Sequence, residues 1–157
     1  MKDFTAEITT EMRGQLSPAA ALEFLFAGRA VVTVENTTTG GRQTYKVAAP
    51  RVQRDPAKPA FFVRVAARGG TYLFAGTIFD KSRFAYSNRA AEIPADAPEV
   101  RGFTWVLDRL VAGTLPATVT VWHEGACGRC GRRLTVPSSI ESGYGPDCLS
   151  IILSRAA

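Results

Sequence analysis

One histidine and three cysteines stand at a spacing that could bind a metal ion, His123-x3-Cys127-x2-Cys130-x17-Cys148. Two thiols separated by two residues can grip one ion, and a set of thiolate and imidazole donors is what a closed structural zinc takes. Gly128 and Gly131 sit where a knuckle between such cysteines needs backbone with positive φ. Gly145-Pro146-Asp147 reads as the opening of a helix with proline in its first turn, which places Cys148 where the helix dipole favours a thiolate. The expectation is one structural Zn²⁺ held by His123, Cys127, Cys130 and Cys148, with no catalytic residues.

Other chemistries fit less well. A thioredoxin-like redox pair expects a helix to begin at Cys-x2-Cys, whereas Gly131-Arg132-Arg133 follows and the third cysteine is left without a role. If His123 does not bind, the site becomes three thiolates and a water, an open geometry of the catalytic kind. A zinc deaminase needs its His/Cys-x-Glu segment well upstream of Pro-Cys-x2-Cys, and Glu124 stands beside His123 only a few residues before Cys127. Treble-clef nucleases need a further histidine. Phosphate-loop, nucleophile-elbow and dinucleotide signatures are absent from the sequence. The expectation is a non-enzymatic protein with no small-molecule substrate.

The elements that must position these side chains are legible from periodicity. Ala117 to His123 alternates, with Val119, Val121 and His123 on one face, and delivers the histidine to the cysteines. After the knuckle come an irregular hairpin from Arg132 to Val136, a helical turn through Ser138 to Ser142 and a terminal helix from Pro146, a layout that resembles a treble clef. Upstream, Ser17-Pro18 caps a short apolar helix that runs to Gly28. Ala30–Glu35 and Gln43–Val47 form a hairpin, and Phe61–Val65 and Tyr72–Phe79 form another around Arg68-Gly69-Gly70. Asp96-Ala97-Pro98-Glu99 supplies a cap and an acidic first turn to a helix carrying Val100, Phe103, Val106, Leu107 and Leu110, closed by Gly113. The predicted fold class is α+β, an antiparallel sheet of about four strands with packed helices and a C-terminal treble-clef-like zinc knuckle. Residues 1–116 would form the body and residues 117–157 the knuckle module packed on it.

At 157 residues and 46% hydrophobic composition the chain has the size and apolar content of one domain. No run approaches the roughly 20 apolar residues of a spanning helix. Met1-Lys2-Asp3-Phe4-Thr5-Ala6-Glu7 has acids where a secretory leader would be basic and then apolar, so the expected setting is the cytosol, where thiols stay reduced. The net charge of +5 is unevenly placed, because Gly28 to Arg89 holds eleven Lys/Arg against three acids. Along one strand Arg42, Thr44 and Lys46 share a face, which predicts a basic strip.

The block Trp122-His123-Glu124-Gly125, Cys127-Gly128-Arg129-Cys130-Gly131-Arg132, Leu134-Thr135-Val136-Pro137, Ser139-Ile140 and Gly143-Tyr144-Gly145-Pro146-Asp147-Cys148 resembles a family of small zinc-knuckle proteins widespread in phages, prophages and plasmids. Thr77-Ile78-Phe79-Asp80 and the aromatic helix before the knuckle are similar to it more loosely. The resemblance implies zinc and a mobile-element setting, and supplies no activity. Two functions fit the residues. One is an accessory nucleic-acid-binding protein in which Arg42, Lys46, Arg51, Arg54, Arg64, Lys81, Arg129, Arg132 and Arg133 meet phosphates and Tyr45, Tyr72 or Tyr86 stack on bases. The other is a protein-binding inhibitor of a host defence complex, anti-CRISPR-like, acting by occlusion through the same residues. Neither involves a membrane.

Overall fold

A computed structural model describes residues 13–156. The expectation made for Met1–Glu7 lies outside the described residues. The chain runs β1 (Gly14–Leu16), α1 (Pro18–Leu25), β2 (Arg29–Asn36), β3 (Arg42–Ala48), β4 (Ala60–Ala66), β5 (Tyr72–Phe79), β6 (Arg83–Tyr86), α2 (Pro98–Ala112), β7 (Val119–His123), α3 (Pro137–Ser142) and α4 (Pro146–Ala156). The strands form one antiparallel sheet in the order β1-β7-β2-β3-β4-β5-β6. No described helix is long and apolar enough to cross a membrane.

The predicted antiparallel sheet is present, with seven described strands where about four were expected. The two hairpins form as expected, and their alternation decides which face is buried. Ala30, Val32, Tyr45, Val47, Phe61, Val63, Val65, Ala75, Ile78 and Val121 face the helices and are all buried. Burial of each large side chain contributes roughly 1.5–3 kcal/mol. On α2, Val100, Phe103, Val106, Leu107 and Leu110 form the buried stripe that the helical spacing predicted. Phe103 meets Tyr45 at 4.9 Å and Phe84 at 5.5 Å between ring centroids, so α2 lies over β3 to β6.

Ser17 caps α1, accepting a hydrogen bond from the Ala20 N–H at 3.2 Å. The cap expected from Asp96 does not form. Ala97 is the capping residue of α2 and has no side-chain oxygen to offer the first turn, which Pro98 opens without needing a partner for an N–H. The strand of the expected knuckle module, β7, lies inside the sheet of the body, paired to β1 on one side and β2 on the other.

A bulge shapes the opposite face of the sheet. Arg64 pairs with Phe74 while its neighbour Val63 pairs with Gly76, leaving Ala75 as the extra residue. Side chains alternate with a period of two, so without the extra residue Phe74 and Phe79, five positions apart, would point to opposite faces.

Candidate metal centre

Cys127 and Cys130 come from the turn that follows β7, and Cys148 from the first turn of α4. Two backbone bonds fold the knuckle back on itself, Cys127 N–H to Arg132 O at 2.8 Å and Gly131 N–H to Cys127 O at 2.8 Å. Gly131 takes φ 79°, the left-handed backbone expected of it. Gly128 serves differently, since it is not among the positive-φ residues: a Cβ there would lie 2.5 Å from the Phe24 ring, and glycine lets the knuckle settle on that ring. The Arg29 N–H, at the start of β2, donates to Gly128 O at 2.7 Å and ties the knuckle to the sheet.

The three sulfurs lie within 4.8 Å of one another, and no two of them are joined as a disulfide. At a Zn–S distance near 2.3 Å, two ligands of a tetrahedral ion stand roughly 3.8 Å apart. The cluster therefore has the dimensions to hold a metal ion, and three soft thiolates suit zinc among the divalent ions. Burial opposes ionisation of Cys127, yet the N–H groups of Cys130, Gly145 and Arg129 at its sulfur prevail and hold the thiol below its ordinary value. Cys148 goes the other way from the expectation based on its helix. Burial raises it first, and the neighbouring sulfurs add to that against the Arg129 guanidinium, whose Nη1 donates to Sγ at 3.5 Å. A bound dication would offset that rise directly.

His123 is not in this cluster. Its ring is fully buried with both nitrogens engaged by backbone: Nδ1 accepts from the Gly125 N–H at 3.0 Å, and Nε2 donates to Ile140 O. Burial lowers its pKa, which keeps the imidazole neutral as this pairing requires. The ring stacks on Phe24 at 5.9 Å. Its role here is to join β7, the knuckle and the Pro137–Ser142 helix through the core. The expected four-ligand set is thus not assembled among the described residues, which bring together the three cysteines without His123. A cleft of about 380 Å³ opens beside the cysteines, with Thr135, Ser139 and Asp147 among its lining residues.

The basic residues singled out by sequence separate into groups. Lys46 and Arg64 stand on the sheet face away from the helices. Arg42 is there too, paired to Glu35 at 3.0 Å. Arg51 and Arg54 are exposed in the loop between β3 and β4. Lys81 sits in the turn after β5 and lines a depression against α1 and α4, on the helix side of the sheet, so it does not extend the strip. Arg129 engages Cys148, while Arg132 and Arg133 are exposed around the knuckle. Two of the proposed stacking tyrosines are excluded: Tyr45 is buried with its hydroxyl donating to Glu99 O at 2.6 Å, and Tyr86 packs against the core with its hydroxyl on Ile93 O at 2.7 Å.

Residues 119–152 match a family model described as a family of unknown function, DUF6011. The match covers β7, the knuckle, α3 and the first turns of α4, the stretch in which the three cysteines converge. No curated protein and no solved structure matches the chain.

Proposed function

We propose that this chain is a non-enzymatic nucleic-acid-binding domain whose C-terminal tail is held by one structural zinc. The charge of the uncovered sheet face carries the reading. The seven strands hold a single acid, Glu35, and Arg42 neutralises it. Glu124, just past β7, is paired to Arg13 at 3.0 Å. Lys46, Arg64 and Arg83, on β3, β4 and β6, form no ion pair among the described residues. A strip of cations on which no described helix packs suits a phosphate backbone. A three-thiolate zinc leaves its fourth position open, so the absence of catalysis rests on the lack of a histidine general base beside it: the lone histidine is committed to backbone at both nitrogens. A reducing cytosol belongs to the same reading, since thiols kept for metal need a reducing compartment, and a mobile-element host enters it only through the resemblance of the block over residues 122–148.

Fluorescence anisotropy with a labelled oligonucleotide tests it. With three or four phosphate contacts, affinity should fall about 20- to 50-fold for a single strand and about 40- to 150-fold for a duplex between about 50 and 200 mM salt. Arg64→Ala should weaken binding and flatten the salt slope by about one unit. Absence of binding to DNA and RNA of either strandedness at low salt would remove the proposal and favour a protein partner.

A further inference from the structure

Four partly exposed aromatic side chains share the same half of the sheet face as the unpaired cations: Phe62 on β4, and Tyr72, Phe74 and Phe79 on β5. Each of the three cations stands over one of these rings. Lys46 Nζ is 5.7 Å from the Tyr72 centroid, and the guanidinium carbons of Arg64 and Arg83 are 5.5 and 5.1 Å from those of Phe74 and Phe79. Phe62 meets Phe74 edge-on at 6.2 Å. Register sets this pattern across the strands, with Lys46 opposite Arg64, Arg64 opposite Phe74, and Phe79 opposite Arg83. The bulge at Ala75 keeps all three β5 rings on this one face.

Phosphate contact alone needs no aromatic side chain. Rings laid on a solvent-facing sheet expose apolar surface without gaining burial in the core, and a planar ligand that stacks on them recovers it. Bases in a duplex stack on one another and present only their edges and phosphates, whereas every base of a single strand offers a free π-face. We infer that the β3–β6 half of this face is a stacking platform for single-stranded nucleic acid, with Lys46, Arg64 and Arg83 meeting phosphates while Tyr72, Phe74 and Phe79 receive bases. The inference rests on the nucleic-acid reading above and adds the strandedness of the ligand. Trp122, at the β7 end with Arg13 at 5.5 Å from its ring, lies beside the Arg13–Glu124 pair.

The test is anisotropy on the whole chain with four probes of equal length: oligo-dT, oligo-U, a DNA duplex and an RNA duplex. Both single strands should bind at least about tenfold tighter than either duplex. Phe74→Leu and Tyr72→Leu should each lower single-strand affinity about tenfold, in keeping with the contribution of one stacked base, and leave duplex binding unchanged. Tyr72→Phe, which keeps the ring, should retain wild-type affinity, and it guards against a folding defect at that position. Duplexes bound as tightly as single strands, or single-strand binding indifferent to both leucine variants, would overturn the platform and leave the charge-based proposal standing. No binding to any probe at low salt would overturn both.

Discussion

Replacement of Cys148 by serine is expected to abolish metal binding and release the terminal helix while the sheet stays folded. α4 has eleven residues, a length at which an isolated helix is marginal in water. Its hold on the body is thin: Cys148 and Ile152 are buried, Leu149 packs partly against the core, and Ile151 and Leu153 face solvent at 37% and 62% exposure. One or two buried aliphatic side chains stabilise a contact by about 2–5 kcal/mol, well short of the roughly 11–22 kcal/mol of backbone entropy lost in ordering eleven residues, which the helix's own hydrogen bonds offset only in part. A structural zinc binds with an apparent free energy of about 10–16 kcal/mol. A bound zinc would therefore decide whether the helix docks. Hydrogen exchange should show protection lost across residues 126–156 in the serine variant, and equally in wild-type protein treated with a strong chelator, with the protection of β2 to β5 retained. Full protection of α4 in either sample would show that apolar packing suffices.

Phe24→Ala is expected to cost about 3–5 kcal/mol, a large share of the roughly 5–15 kcal/mol that stabilises a domain. Phe24 is completely buried, and three parts of the molecule converge on it. Its ring stacks on His123 from β7 and tilts against Tyr144 at 5.6 Å, ahead of α4. The knuckle meets the same ring at Gly128, where even a methyl group would not fit. Truncation opens a cavity at the junction between the core and the metal centre, so it should weaken metal affinity as well as global stability. Denaturant unfolding with the metal present and chelated separates the two effects. A loss below about 1 kcal/mol would mean that the core and the knuckle are not joined through this ring.

Much of the fold could be read from local pattern because local pattern governs it. β3 and β4 alternate strictly and β2 nearly so, and the stripe on α2 follows helical spacing. The short edge strands were not legible. β1 has three residues and β6 four, and such segments become strands through pairing with β7 and β5 rather than through propensity. Alternation places Arg42 and Lys46 on the uncovered face, and of the three tyrosines expected to stack there, Tyr72 lies on that face while Tyr45 and Tyr86 face the core. For Tyr45 the signal was available, since it alternates in phase with Val47. The β5 rings were harder, because the bulge that reunites Phe74 and Phe79 leaves no mark in composition.

The cysteine cluster was legible from spacing, as two residues between thiols and a proline-led helix leave the sulfurs few arrangements. The histidine was not, although the same alternation that places it on β7 argued against its role. His123 shares a face with Val121, and that face lies under Phe24 and the helices. There its two ring nitrogens meet the Gly125 N–H and Ile140 O rather than the cysteine sulfurs.

X-ray absorption at the zinc edge, on protein purified without chelator, tests the metal centre most directly. One zinc per chain is predicted, with three sulfur neighbours near 2.3 Å and a single lighter donor, and no imidazole scattering. Protein that is metal-free yet folded through its last helix, or a spectrum carrying the imidazole signature of His123, would contradict it.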